Sequence, residues 1–359
     1  MTDLLAPLTF ARGPAMKNRF MLAPLTNTQS QDDGVLSDDE FRWLTMRAEG
    51  GFGLTMTCAA HVQAQGRGFP GQLGVFDDRH IDGLARLANA IQRQGSLSSV
   101  QLHHAGQRSP AELIGTAPVC PSADEDSGAR ALTASEVAVL RDDFIAAAVR
   151  SERAGFDGVE IHGAHGYVLS QFFSPVINRR DDAYGGTLDN RYRILFEIID
   201  GIRASCRADF QLGVRLSPER FGLRLPDVIE IARRLLIGGD IDFLDMSLWD
   251  VFKAPRDENY AGRSLMSCFT ELPRGETRLG VAGMIRTPAE AEAAMAAGAD
   301  WVMLGRAAIL QHDFPARYAE RRDFETAEWP VTREYLAGQG LSPRFVDYVK
   351  TGWPAMVAD

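Results

Sequence analysis

The segment DGVEIHGAHGY (157–167) contains a short apolar run, GVEIH, that is followed at once by polar and aromatic residues. This run has little alternation of apolar and polar residues, and WVMLG (301–305) shares that property. A strand with this pattern is covered on both faces, as in parallel sheets that pack against helices. The segment therefore predicts a buried parallel strand with His162, His165 and Tyr167 beyond its carboxyl end.

Similar units recur along almost the whole chain, each with an apolar run followed by an amphipathic stretch. The predicted strands are Arg19–Ala23, Gly53–Cys58, Leu97–Leu102, Gly158–His162, Leu212–Leu216, Phe243–Ser247, Leu279–Ala282 and Trp301–Leu304. The predicted helices are Asp38–Glu49, Ile81–Arg93, Ala134–Ala154, Asn190–Ser205, Leu225–Leu236, Gly262–Leu272 and Pro288–Ala297. Doubly wound sheets share this alternation, but eight evenly spaced units favour a single α/β domain folded as a (β/α)8 TIM barrel.

Two segments depart from the repeat. Residues 107–132, rich in Pro, Ser, Gly and Ala, are too long for a plain loop and predict a capping insertion after strand three. No linker divides the chain, so we predict one domain over residues 1–359, with 323–359 as a C-terminal extension. Aromatic residues between Phe345 and Trp353 either dock on the chain's own barrel or contact another subunit, which leaves a homo-oligomer open.

Composition narrows the class of protein. The net charge of −10 disfavours binding to nucleic acid and to anionic lipid surfaces. The N-terminus lacks the pattern of a signal peptide, and no window holds eighteen consecutive apolar residues, so we predict a cytoplasmic protein that neither spans nor binds membranes. The four cysteines are widely scattered, which predicts reduced thiols and disfavours an iron–sulfur cluster.

In a (β/α)8 barrel, reactive groups project from the carboxyl ends of the strands. Gly283 follows strand seven, and Gly305 with Arg306 follows strand eight, where barrels commonly bind phosphate. The glycines allow close backbone approach and the arginine adds a charged donor, so these residues predict a phosphate site. The alternative for Gly305 is a tight turn without a ligand.

The histidines allow three interpretations. Two closely spaced imidazoles are common zinc ligands, but no third ligand is evident, so we predict no metal. His162 and His165 can instead donate to one carbonyl oxygen, with Tyr167 as a proton source. The remaining alternative is a buried ring with only a structural role.

Two polar residues stand inside the predicted strands. Gln101 can donate and accept at once, which suits the imide edge of a flavin or a pyrimidine. Arg215 lies in an apolar strand, where its charge is costly unless an anion, a polar cofactor or a buried carboxylate meets it. The sequence leaves open which of these partners is present.

Together these motifs resemble the old yellow enzyme family of FMN-dependent ene-reductases. The resemblance runs from about Asn18 to Arg306 and is most specific in residues 157–193. Shorter motifs that carry it are NRFMLAPLT (18–26), VQLHHAGQ (100–107), VRLSP (214–218), GMI (283–285) and LGR (304–306). Thr26 is typical of one branch of the family and the HxxH pair of another, while the loop Trp249–Lys253 lies outside the shared pattern.

The resemblance implies an enzyme that binds FMN across the barrel mouth and uses NADPH or NADH as reductant. It assigns Thr26 to the flavin O4 edge, Gln101 to the pyrimidine edge and Arg215 to N1 and O2. The full set of implied FMN contacts is Ala23, Pro24, Leu25, Thr26, Ala59, Gln101, Arg215, Gly283, Gly305 and Arg306.

The implied substrate is a small α,β-unsaturated carbonyl or nitro compound, reduced by hydride transfer in a ping-pong cycle. His162 and His165 would bind its oxygen, and Tyr167 would protonate the α-carbon. Two alternatives stay open from the sequence. One is an oxidative flavoenzyme that demethylates or dehydrogenates a small amine, and the other is a barrel that binds a phosphorylated ligand without catalysis.

Overall fold

A computed structural model describes residues 3–358, so Met1, Thr2 and Asp359 of the predicted domain lie outside the described part. Ten strands occur in it: β1 (Phe20–Leu22), β2 (Leu54–His61), β3 (Leu97–His103), β4 (Val119–Cys120), β5 (Arg130–Ala131), β6 (Gly158–Gly163), β7 (Gln211–Leu216), β8 (Phe243–Ser247), β9 (Arg278–Ala282) and β10 (Trp301–Leu304). Eight of them close a parallel barrel in the order β1-β2-β3-β6-β7-β8-β9-β10. The predicted (β/α)8 barrel is confirmed.

The helices connect consecutive barrel strands, except for two that belong to the C-terminal segment. They are α1 (Asp38–Glu49), α2 (Ile81–Gln92), α3 (Ala111–Ile114), α4 (Ala134–Arg153), α5 (Val168–Phe173), α6 (Leu188–Ser205), α7 (Leu225–Gly238), α8 (Ser267–Thr270), α9 (Pro288–Ala296), α10 (Arg306–Leu310), α11 (Phe314–Glu320), α12 (Arg333–Gly338) and α13 (Pro343–Gly352). Within residues 3–358, none of them is both long and apolar enough to cross a bilayer.

One predicted helix is wrong. Residues 262–272 form only the four-residue helix α8, because Gly262 has a left-handed φ of +86° that cannot begin a right-handed helix. Only Leu265, Met266, Cys268 and Phe269 of this stretch reach the core, so little apolar burial supports a longer helix. Strand β2 also runs three residues further than predicted, to His61, which places Ala59 inside the barrel sheet.

The barrel has two apolar layers. Its outer layer packs the strands against the helices, and its interior holds a separate cluster that includes Met21, Met56 and Met303. The N-terminal segment closes the end opposite the carboxyl ends, where Phe10 packs against Phe243 and Trp301 with ring centroids 6.0 and 6.1 Å apart. Because this interior is filled, a ligand can enter only at the carboxyl ends of the strands.

The insertion and the C-terminal segment have structure of their own. Residues 107–132 contain α3 and the two-stranded parallel sheet formed by β4 and β5. Helix α13 docks on its own chain, where the Phe345 ring meets Trp43 edge to face with centroids 4.8 Å apart. We retain the capping role of 107–132 and the treatment of 323–359 as an extension as proposals.

Capping residues set two helix starts that the sequence predicts. Thr133 and Glu136 form a reciprocal capping box at α4, and Thr287 and Glu290 form another at α9. We expect Thr133→Ala to lower the free energy of unfolding by about 1 kcal/mol, because the Glu136 N–H loses its acceptor. Urea denaturation would measure the change. Thr133→Ser is the matched control, since it keeps the hydroxyl, and an equal loss in both variants would contradict the capping explanation.

Candidate active site

The predicted catalytic residues lie together where β6 ends. His162 is the penultimate residue of that strand, His165 follows in the loop, and Tyr167 immediately precedes α5. The loop turns sharply, because His165 has a left-handed φ of +61°. Its backbone N–H donates to Ser217 Oγ at 3.0 Å, which holds the turn in place. This turn brings two residues that are three apart in sequence into side-chain contact.

Hydrogen bonds assign the proton positions on the two imidazoles. The backbone N–H of Ala164 donates to His162 Nδ1 at 3.2 Å, so the His162 proton resides on Nε2. This Nε2 lies 3.3 Å from His165 Nδ1, and His165 Nε2 lies 2.8 Å from Ser247 Oγ. When the Ser247 hydroxyl donates to Nε2, His165 carries its proton on Nδ1. Both N–H groups then converge on one point.

Both imidazoles are neutral near neutral pH. Burial lowers the pKa of His162 and His165 well below the usual range for histidine, and the positive charges of Arg215 and Arg108 lower both further. A neutral imidazole still offers one N–H donor. The pair can therefore donate two hydrogen bonds without carrying a charge of its own. Among residues 3–358, no group of three His, Cys, Asp or Glu is arranged to hold a metal ion.

Tyr167 stands among basic side chains that the sequence did not assign. Its ring centroid lies 4.3 Å from that of His103 and 5.2 Å from that of His162, and the Arg108 guanidinium lies 4.7 Å from it. Arg108 also donates to the His165 carbonyl oxygen at 2.6 Å. The VQLHHAGQ motif contains His103, but the position of Arg108 depends on the fold of the insertion.

His103 carries an unused donor at this site. The Gln72 side-chain amide donates to His103 Nδ1 at 3.0 Å, which leaves the proton on Nε2. That nitrogen is buried and has no partner within the described residues. The same amide donates to the Ala59 carbonyl at 2.7 Å, so Gln72 ties β2 to the end of β3.

The segment Ala23–Thr26 follows β1 and borders the loop after β10. A Cβ placed on Gly305 would lie 3.4 Å from Leu25 Cδ2, so the predicted ring-binding segment is next to the predicted phosphate residues. The Thr26 hydroxyl forms a hydrogen bond with Tyr348 of α13. Nothing in the sequence indicates this contact, because the two residues are joined only when the C-terminal helix docks.

Gln101 and Arg215 have protein partners deeper in the barrel. Gln101 Nε2 donates to Glu160 Oε1 at 2.6 Å, and Arg215 Nε lies 2.9 Å from Asp245 Oδ2. The buried carboxylate that the sequence leaves open as a partner for Arg215 is therefore present. An arginine nevertheless has five N–H donors, and Arg215 Nη2 extends to 3.5 Å from Ser247 Oγ, toward the mouth.

The predicted phosphate residues border a cavity of about 900 Å³. Arg306 opens onto it together with Arg286, and both guanidinium groups lie near the Trp329 ring, at 5.7 and 5.6 Å. Burial lowers the pKa of Arg306, and the neighbouring charge of Arg286 lowers it further. Neither arginine forms a salt bridge within residues 3–358. Two adjacent cations without a carboxylate suit a bound phosphate.

Gly283 is required where the loops after β8 and β9 meet. Its φ is +153°, and a Cβ there would lie 2.8 Å from the Asp250 nitrogen and from the Trp249 carbonyl carbon. The site residues thus fit FMN: paired arginines face a cavity at one end, and Gln101 and Arg215 offer polar groups at the other. The sequence missed Arg286, although it follows GMI directly.

The chain was next compared with known proteins. Residues 3–325 match the model of the NADH:flavin oxidoreductase / NADH oxidase family. The chain belongs to this family. Its membership confirms the predicted enzyme class, an NAD(P)H-dependent flavin oxidoreductase of the old yellow enzyme type with FMN as cofactor, and sets aside the non-catalytic barrel.

Individual members of the family resemble the chain over most of its length. It is 35% identical over 333 residues to a probable NADH-dependent flavin oxidoreductase, YqiG, of Bacillus subtilis, a match that covers 89% of this chain and 88% of that one. It is 35% identical to an NADPH dehydrogenase of a Geobacillus strain, covering 90% and 95%. The old yellow enzyme homologue of Zymomonas mobilis superimposes with a TM-score of 0.81 at 29% identity, covering 96% and 99%.

Proposed function

We propose that this protein reduces activated C=C bonds of small α,β-unsaturated carbonyl or nitro compounds, in a ping-pong cycle that NADPH or NADH begins. The observation that carries the proposal is the convergence of His162 Nε2 and His165 Nδ1, 3.3 Å apart, beside Tyr167. Two neutral donors aimed at one point suit an oxygen on which negative charge develops. Bound FMN supplies the hydride chemistry between the nicotinamide and the substrate β-carbon.

The side chains of the mouth have separable tasks in this proposal. His162 and His165 hold the substrate oxygen, and their hydrogen bonds strengthen as charge develops there. The Tyr167 hydroxyl gives its proton to the α-carbon as the new C–H bond forms, and then regains a proton from water. Ser247 keeps the His165 proton on the nitrogen that faces His162.

We further propose that FMN is held by the residues that the resemblance implies. Ala23–Thr26 and Ala59 would line its ring, while Gln101 and Arg215 would bind the pyrimidine side. Gly283, Gly305 and Arg306 would hold the phosphate, together with Arg286, which adds a second cation at the same cavity. Cytoplasmic location and the choice between monomer and homo-oligomer stay predictions, to be checked by fractionation and light scattering.

Anaerobic half-reactions test the proposed direction of catalysis. The chemically reduced holoenzyme is mixed with 2-cyclohexenone, and the oxidised holoenzyme with an N-methylated amine, while flavin absorbance is followed. We expect rapid reoxidation by the enone and no reduction by the amine. Reduction by the amine without reoxidation by the enone would replace our proposal with the oxidative alternative.

The phosphate assignment predicts a selective loss of affinity. We expect Arg306→Gln to weaken FMN binding by about 10- to 100-fold, because a charged hydrogen bond contributes about 1.5–3 kcal/mol. Riboflavin, which lacks the phosphate, should bind both proteins equally. Fluorescence titration of the apoprotein would measure both constants. Arg86→Gln, on the exposed face of α2, is the control, and an equal loss for FMN and riboflavin would contradict the assignment.

A further inference from the structure

Two buried carboxyl groups lie beneath the mouth, and the proposed function gives them no task. Glu160 projects from β6 and Asp245 from β8, and both residues have an exposed fraction of 0%. Their side chains contact each other. Strand register places them near two polar residues, since Glu160 is aligned with Gln101 and Asp245 with Arg215.

The contacts leave several carboxyl oxygens without a donor. Gln101 supplies one hydrogen bond, to Glu160 Oε1 at 2.6 Å. Arg215 Nε lies 2.9 Å from Asp245 Oδ2 as an ion pair, but not in hydrogen-bond alignment. Glu160 Oε2 and both Asp245 oxygens have no hydrogen-bond donor in the described chain. Two carboxylates cannot hydrogen-bond to each other unless a proton lies between them.

Charge counting gives the number of protons. The charged groups that act on the pair are Arg215 and the two carboxyls themselves, and Gln101 adds a neutral donor. With both carboxyls ionised, the buried group carries one uncompensated negative charge. With both protonated, Arg215 is left without a counter-ion. Only one proton on the pair makes the group neutral, and an isolated charge in a water-free interior is costly.

We propose that Glu160 and Asp245 share one proton and together provide a single negative charge that positions and balances Arg215. Arg215 lies between this pair and the mouth, where its Nη2 is 3.5 Å from Ser247 Oγ. The pair thereby controls how much of the arginine's positive potential reaches the mouth. Loss of the shared proton would cancel that potential and leave an excess negative charge.

The direction of the ionisation supports this inference. Burial raises the pKa of Glu160, and it raises the pKa of Asp245 well above the usual range, while Arg215 opposes both shifts and each carboxylate disfavours ionisation of the other. Two groups coupled in this way titrate as a pair rather than as independent acids. Glu160 and Asp245 are thus positioning residues that act through Arg215.

Infrared difference spectroscopy of the holoenzyme can detect the shared proton. A protonated carboxyl absorbs above the amide band, and its band shifts in D₂O. We expect the wild-type protein to show this band at neutral pH, and both Glu160→Gln and Asp245→Asn to lose it. Each variant retains one carboxyl, which must ionise because it becomes the only counter-ion of Arg215. Survival of the band in either variant would overturn the inference.

Glu40 provides the matched control. It is also fully buried with a raised pKa, but Asn27 and Ser30 hydrogen-bond to it and no arginine pairs with it. Glu40→Gln should remove its own component and leave that of the pair. If the wild-type band vanishes entirely in Glu40→Gln, the pair holds no proton and the inference fails. None of these spectra depends on the substrate, so their outcome is separate from that of the proposed function.

A second measurement decides the matter if Asp245→Asn does not fold. Glu160→Gln keeps an oxygen for the Gln101 hydrogen bond, so its barrel should persist. We expect the midpoint potential of bound FMN to fall more steeply with pH in the wild type than in Glu160→Gln, over the range where the infrared band disappears. Parallel pH dependences in the two proteins would overturn the inference.

Discussion

Replacing Tyr167 with phenylalanine is expected to slow reoxidation of the reduced holoenzyme by 2-cyclohexenone by about 10²- to 10⁴-fold, the usual contribution of a positioned general acid. The ring should stay in place, because its contacts with His103 and Arg108 involve the aromatic face and edge rather than the hydroxyl. Reduction by NADPH or NADH requires no proton at a substrate carbon, so that half-reaction should keep its rate. Anaerobic stopped-flow absorbance separates the two steps.

Tyr335→Phe is the control for this experiment. Its hydroxyl donates to the Leu310 carbonyl at 2.8 Å in the C-terminal part of the chain, so its loss should leave both half-reactions unchanged. If Tyr167→Phe slows both half-reactions by the same factor, Tyr167 supports flavin binding or the structure of the mouth, and the role of proton donor is wrong. A solvent isotope effect on the enone step, present in the wild type and absent in Tyr167→Phe, would strengthen the assignment.

The second large effect concerns the histidine pair. We expect His162→Ala to slow the enone half-reaction by about 10²- to 10³-fold, as when one preorganised donor is removed from an oxyanion site. The loss should be greater in the rate at saturating enone than in enone affinity, since the hydrogen bond strengthens as charge develops on the oxygen. Stopped-flow traces over a range of enone concentrations yield both quantities.

His165→Ala should resemble His162→Ala, and the double variant should lose less than the product of the two single effects, because the residues act as one site. Both imidazoles have lowered pKa values, so the enone step should show no histidine-dependent break near neutral pH. His312→Ala, whose ring contacts Gln339 away from the mouth, is the control. Undiminished enone reduction in both single variants would refute the donor assignment.

Local sequence signals were sufficient for most of the architecture. Capping boxes at Thr133 and Thr287 and unbroken apolar runs such as WVML determine where elements begin and which are buried. They failed at residues 262–272, where a period compatible with a helix is overridden by the left-handed Gly262. Periodicity records which side chains are apolar, but it does not record backbone conformation at a single glycine.

For the candidate site, the sequence by itself determined the residue types at the ends of the strands: His162, His165 and Tyr167 after one strand, and Gly305 with Arg306 after another. It could do so because a barrel collects the carboxyl ends of all its strands on one face. Only the tertiary structure decided which side chains meet there. Asp245 beside Arg215 and Tyr348 beside Thr26 are brought together by strand register and by docking of the C-terminal helix. Such contacts depend on distances between segments remote in the chain, and local patterns of charge and hydrophobicity do not encode those distances.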